Sequence, residues 1–230
     1  MANEQLMWPE GTKEDYITAR RALLTAERDL RDAAERLAAL RRALPDGAEL
    51  PDVLLTEGPA ALGDDGPVRR TQLSALFGEH SSLFVYHLMH TPADGFCPMC
   101  SMWLDGLNGV AAHIEENAAL AVIAPAPIAE IRQWARTRGW PRLRLLSCAG
   151  TTFTADLNID GPDGTVPAVS VLTRDGSTVR HFYTAHAIFP DGTGRGMDLL
   201  SPVWNVLDLL PQGRRDWYPA NRTVGDDCCH

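Results

Sequence analysis

Two cysteines two residues apart, Cys97-Pro98-Met99-Cys100, lie between a strand-forming run and a helix-forming run. This junction constrains the fold more than any other stretch of the chain. Ser82–Met89 (SLFVYHLM) is short and apolar and reads as a buried strand. Pro98–Glu116 reads as a helix with proline in its first turn, where a missing N–H costs nothing. Thr91–Phe96 between them reads as a loop. A thiol at such a junction meets unpaired backbone N–H donors and the positive end of the helix dipole. Both stabilise an anion, so Cys97 is expected to ionise more readily than a free cysteine. Cys100, one turn inside the helix, is within reach to resolve a mixed disulfide.

The chain around this junction alternates. Ala119–Ala124 reads as a strand, Pro127–Arg138 as a helix ended by Gly139, and Arg142–Cys148 as a third strand. Residues 149–165 read as a Gly/Asp/Thr loop. Ala168–Thr173 and Thr178–Thr184 flank the turn Arg174-Asp175-Gly176-Ser177 and read as a β-hairpin. Ser201–Leu210 reads as a last helix, with Ser201 as N-cap and Pro202 at its first position. The order β-α-β-α-β-β-β-α implies a mixed sheet covered by helices. A CxxC where a strand of such a sheet feeds a helix resembles the thioredoxin arrangement. The expected fold class is therefore α/β, a thioredoxin-like mixed sheet flanked by helices. Pro167 stands immediately before the first hairpin strand. In thioredoxin folds a cis-proline there lies beside the dithiol and shapes the substrate groove; the alternative is an ordinary strand-edge proline.

Residues 13–44 contain no Gly or Pro, and their apolar positions alternate in steps of three and four: Tyr16, Ala19, Leu23, Ala26, Leu30, Ala33, Leu37, Leu40, Leu44. This is a long helix with one apolar seam. It serves either as an amphipathic helix laid on its own domain or as a dimerising coiled-coil arm. Pro45-Asp46-Gly47 stops it. Residues 45–72 are rich in Pro, Gly and Asp and read as a linker. The expected organisation is an arm (1–44), a linker (45–72), a thioredoxin-like domain (73–220) and a flexible tail (221–230).

The formal net charge of −9 argues against a nucleic-acid partner, because an acidic surface repels phosphates. No run of eighteen apolar residues is present, so no membrane span is expected. The opening residues MANEQLMWPEGTKEDY lack the basic and apolar regions of a secretory signal, which makes a cytoplasmic protein the expectation. The five cysteines (97, 100, 148, 228, 229) are odd in number and irregularly spaced, unlike a secreted disulfide framework.

Three roles fit the dithiol: redox exchange, a metal site, or a structural pair. As a metal site, Cys97 and Cys100 would hold copper or zinc with His87 and His90, or with His113. Zinc would want a second ligand pair at metal spacing, whereas Cu(I) suits thiolate with imidazole. His87 is alternatively an electrostatic helper to Cys97, or a core residue. His181 faces either the same groove or the sheet. Asp105 is an ion-pair partner, a proton relay or a solvated residue. Cys228-Cys229-His230 is an exchanging thiol pair, a metal-capturing tail or an idle terminus. Arg195 sits in the Gly-rich run Gly192–Gly196, but no lysine follows at phosphate-loop spacing.

The run Tyr86-His87-Leu88-Met89, then Cys97-Pro98-Met99-Cys100-Ser101, then Leu104-Asp105-Gly106, resembles the bacterial domain-of-unknown-function 899 family. Ala124-Pro125-Ala126-Pro127, Gly139-Trp140, Asp156-Leu157-Asn158-Ile159-Asp160, His181-Phe182-Tyr183 and the stretch Trp204–Arg214 extend the likeness to about residues 13–220. Cys148, where relatives usually carry serine, His90 and the residue 226–230 tail depart from the pattern. The resemblance implies a thioredoxin-like dithiol-disulfide oxidoreductase. In that reading Cys97 is the nucleophile, Cys100 the resolver, Pro167 the groove residue and His87 a helper. No cofactor is required, and the partner is a disulfide-containing protein or a small-molecule thiol or disulfide. A homodimer would form through the N-terminal helix. The rival expectations are the copper or zinc protein and an assembly protein whose dithiol is idle.

Overall fold

A computed structural model describes residues 7–161 and 164–221. The chain divides into two compact units, Met1–Pro45 and Asp46–His230. Within the first, helix α1 spans Glu14–Arg42, with Glu14 and Asp15 in its first turn and Arg41 and Arg42 in its last. That charge order complements the helix dipole. None of its residues is buried, and Tyr16, Leu23, Leu30 and Leu37 repeat every seven residues with their side chains exposed.

The second unit opens with three strands, β1 (Glu49–Leu50), β2 (Leu54–Glu57) and β3 (Arg69–Gln72), where the sequence suggested a linker. The prolines and glycines of this stretch mark the turns between short strands rather than a structureless connection. A 3-10 turn over Leu73–Phe77 leads into β4 (Ser82–His87). The expected loop after β4 contains a small hairpin, β5 (His90–Thr91) with β6 (Gly95–Phe96). Helix α2 (Pro98–Glu115), β7 (Ala119–Ala124), helix α3 (Ile128–Arg138) and β8 (Leu145–Ser147) then follow the expected alternation. Gly139 closes α3 in the left-handed conformation, φ 72°. Residues 149–165, expected as loop, form the short helix α4 (Phe153–Asp156) and the strand pair β9 (Asp160–Gly161) and β10 (Gly164–Thr165). The hairpin β11 (Ala168–Asp175) and β12 (Thr178–His186) precedes helix α5 (Pro202–Leu207). Ser201 occupies the N-cap position, but its side chain makes no capping hydrogen bond.

Eight strands form one sheet in the order β1-β12-β11-β4-β7-β8-β2-β3. β4, β7 and β8 are parallel, and the outer strands join them antiparallel. Successive strand residues point to opposite faces, and the two faces have separate cores. Leu120, Val122 and Ala124 of β7 pack with α2 and α3 residues such as Leu104 and Ile131. Ala119, Ala121 and Ile123 of the same strand pack with Leu76, Phe77 and Phe153. The mixed α/β sheet with helices on its faces is therefore present, as is the long N-terminal helix. Among the described residues no helix is long and apolar enough to cross a membrane.

Candidate active site at the start of helix α2

The small hairpin after β4 delivers the dithiol. Gly95, at φ 70°, and the hydrogen bond from the Asp94 N–H to Thr91 Oγ1 (3.0 Å) turn the chain back. The Cys97 N–H then donates to the Met89 carbonyl at 3.2 Å. Cys97 is the N-cap of α2 in extended conformation, φ −60° and ψ 126°, with Pro98 following it. Its sulfur accepts from the Cys100 N–H at 3.5 Å. Ser101 fixes the turn: its hydroxyl donates to the Cys97 carbonyl at 3.1 Å and accepts from the Trp134 indole N–H at 3.1 Å.

These contacts polarise the two sulfurs in opposite directions. A hydrogen bond from the Cys100 side chain brings the Cys97 thiol down to about 6, against the cost of its burial. Backbone N–H groups of Cys100 and Met99 and the Tyr218 hydroxyl add to the effect. Cys100 is pushed well above an ordinary thiol, first by that hydrogen bond to Cys97 and then by burial. The Tyr86 hydroxyl hydrogen-bonds Cys100 from β4. Near neutral pH the pair is thus a thiolate at Cys97 and a thiol at Cys100. This is the protonation state in which Cys97 attacks an electrophile and Cys100 follows.

Both cysteines line a cavity of about 260 Å³. Met99, Trp103, Met197 and Trp204 make its wall largely apolar, and Pro167 lines it beside the cysteines. The Val166–Pro167 bond is trans, since the described residues contain no cis peptide. Arg195, Asp198 and Arg214 stand at the polar side. Asp198 and Asp208 each receive both arginines, Arg195 at 2.9 and 3.0 Å and Arg214 at closer range. Arg195, expected to be a loop residue without a phosphate role, is thus a member of an ion-pair network at the cavity.

His87 does not join the dithiol. It alternates with Tyr86 along β4, so Tyr86 faces the cysteines and His87 faces the other core. Its Nε2 hydrogen-bonds Ser170 Oγ at 2.8 Å, and its ring packs on Phe153 at 5.9 Å. Burial, then neighbouring His186, lowers it to about 3. His90 pairs with Glu130 (3.5 Å) and packs on Phe96, while His113 is exposed beside Glu116. Among the described residues no three His, Cys, Asp or Glu side chains group so as to hold a metal ion. The set Cys97, Cys100, His87 and His90 is therefore not assembled, because period-two alternation sends His87 through the sheet and His90 turns onto α3. His181 takes the sheet alternative, with Nε2 hydrogen-bonded to Thr184 Oγ1 at 2.9 Å. Cys148 is buried, and burial pushes its thiol up to about 12, so it is inert. Asp105 accepts from the Trp140 indole at 2.8 Å and pairs with Arg138. Cys228, Cys229 and His230 lie outside the described residues.

In a second cavity, of about 410 Å³, the charges of Glu57 and Arg132 already have partners. Burial pushes Glu57 up, but hydrogen bonds from Arg144, Thr71 and Arg69 outweigh it and hold the carboxyl below its usual range. Arg132 donates to the carbonyls of Pro59, Ala61, Leu62 and Asp64. This cavity holds a loop in place and carries no nucleophile.

The family model described as "Bacterial protein of unknown function (DUF899)" matches residues 7–225. No curated protein matches the chain. Similar solved structures include a cysteine-to-serine variant of Xanthomonas campestris peroxiredoxin Q, at 13% identity and TM-score 0.50, covering 68% of this chain and 95% of that one. The Plasmodium falciparum antioxidant protein, a 1-Cys peroxiredoxin, is similar at 14% identity and TM-score 0.50, covering 63% of this chain and 84% of its own. At this identity the likeness establishes the fold, a thioredoxin-type sheet of the kind peroxiredoxins have.

Proposed function

The chain belongs to the DUF899 family of bacterial proteins, and on that premise we propose that it is a thiol-disulfide oxidoreductase working through Cys97 and Cys100. The observation that carries the reading is the opposite polarisation of the two sulfurs at one helix start, inside a cavity. The Cys97 thiolate attacks one sulfur of a disulfide RS–SR′, forming the Cys97–SR bond and releasing R′S⁻. Cys100 gives up its proton, which the released thiolate takes through solvent, and its sulfur attacks Cys97 Sγ. The Cys97–Cys100 disulfide forms and RS⁻ leaves, so two electrons pass from the dithiol to the substrate. An external dithiol of a reducing cytoplasm restores the starting state. The two sulfurs carry this chemistry without a resident cofactor. A cavity of about 260 Å³ favours a small-molecule disulfide over a folded protein.

A peroxide is the second electrophile to consider, because the similar structures named above are peroxiredoxins. Cys97 would then attack the peroxide oxygen and, with one proton, yield a sulfenic acid and ROH. Condensation with the Cys100 thiol would form the same disulfide and release water.

Cys100→Ser separates the two substrates. With a low-molecular-weight disulfide it should trap a mixed disulfide on Cys97, and with a peroxide a sulfenic acid, both read by peptide mass spectrometry. The rate of trapping should rise with pH as Cys97 ionises, and in the unaltered protein alkylation of Cys97 should rise around a midpoint near 6. Absence of both adducts, together with no Cys97–Cys100 cross-link in the unaltered protein, refutes the reading. For partners, the exposed heptad seam of α1 supports a second copy of the chain.

A further inference from the structure

Tyr218 lies 121 residues after Cys97 in the chain, yet its hydroxyl reaches the Cys97 sulfur. The segment that brings it there is pinned on both sides. Before it, Arg214 pairs with Asp198 and Asp208 and lies 4.8 Å over the Trp204 ring. Trp217 packs edge-on against Trp204 at 5.7 Å. After it, Pro219 is buried, and Asn221 Nδ2 donates to the Phe96 carbonyl at 2.7 Å, one residue before Cys97. Proline also confines the residue preceding it to extended backbone. Residues 214–221 therefore form a strap across the dithiol, anchored to the cavity wall at one end and to the approach to α2 at the other. Tyr218 remains 61% exposed between these anchors.

Resting on the oxidoreductase reading, we infer that Tyr218 is a catalytic hydrogen-bond donor to Cys97 Sγ, held in place by the strap of residues 214–221. In the resting dithiol its O–H donates to the thiolate. When Cys97 bonds to a substrate sulfur, the negative charge passes to the departing sulfur, and the O–H is released from its bond to a thiolate. The tyrosine neither gains nor loses a proton overall, so the electron balance of the exchange is unchanged. Tyr86 makes the corresponding contact to Cys100 from inside the sheet and is buried. The two sulfurs are thus served by different tyrosines, one fixed in the core and one on a surface strap.

The test is alkylation of Cys97 by iodoacetamide across a pH series, with the full chain and peptide mass spectrometry to isolate this cysteine. Tyr218→Phe should move the midpoint upward, slowing alkylation about tenfold at pH values below it, while the high-pH plateau keeps its level. Trp217→Ala leaves the hydroxyl present but loosens its anchor, and should move the midpoint in the same direction. An unchanged midpoint in Tyr218→Phe overturns the role of the hydroxyl. A shift in Tyr218→Phe with none in Trp217→Ala overturns the strap. Because the readout is titration and not turnover, these results stand apart from those of the oxidoreductase reading. A chain that turns over no disulfide or peroxide but shows the Tyr218 shift would lose the reading and keep the contact.

Discussion

Tyr86 and His87 are adjacent, and the pleat of β4 assigns them to different chemistry. Tyr86 meets the dithiol, whereas His87 enters a hydrogen-bonded chain that runs through Ser170 and Thr184 to His181 across three strands. Sequence spacing alone made His87 attractive, since it stands close before Cys97. Counting in twos from Leu83 and Val85, which share the second core, would have placed it correctly. Its burial has a pH signature. In the unfolded chain His87 takes up a proton as pH falls through 6.5, whereas the folded protein resists this until about 3. The unfolded state therefore binds more protons across that window, and stability falls as pH falls within it. At about 1.4 kcal/mol per pH unit the whole window amounts to a loss on the order of 5 kcal/mol. Denaturant midpoints at pH 7 and pH 4, which span about 2.5 units of the window, should show about 3 kcal/mol of this loss, and His87→Asn should narrow the gap between them. An equal gap in both proteins would mean that other groups dominate the acid limb.

At the level of elements, α2 is held against α3 by contacts that its own sequence does not advertise. Of the ion-pair, relay and solvated readings of Asp105, the ion pair is the one present, with Arg138 at the end of α3; the sequence did not show that Asp105 also accepts the indole N–H of Trp140, a side chain 1% exposed. Removing the carboxylate leaves a buried N–H without its partner. Asp105→Ala should thus cost about 1–3 kcal/mol, measured by chemical denaturation, with Cys97 alkylation kinetics unchanged near neutral pH. The dithiol junction, the parallel strands and the β11–β12 hairpin were legible because each has strong local patterning. β1 to β3 were not, because strands of two to four residues flanked by Pro and Gly resemble a linker. Cys97 and Cys100 were legible from their helix-start spacing. Tyr218 was not, because no local pattern links it to a cysteine so far back in the chain.

For the molecule as a whole, α1 presents Tyr16, Leu23, Leu30 and Leu37 to solvent at heptad spacing, with Ala19, Ala26 and Ala33 between them. Alternating large and small residues let two such helices approach closely and bury the seam. The full chain should therefore sediment as a dimer, and the double substitution Leu23→Glu and Leu30→Glu should release monomers without altering the far-UV spectrum of the sheet. A monomeric unaltered chain would assign the seam no self-association.

Both margins of the sheet come from one short stretch. β1 covers the outer side of β12, and β2 with β3 covers β8. These covering strands are short, and the outermost, β3, carries Arg69 and Arg70, features that discourage edge-to-edge pairing between molecules. A truncation starting at residue 73, where the Pro- and Gly-rich stretch ends, would bare two edges at once, including Val179 and Arg180 of β12, which β1 pairs. A cut after Pro45 leaves these covering strands in place. The safe boundary for making a shortened protein that stays dispersed is therefore residue 46, some twenty-seven residues before the place where composition would put it.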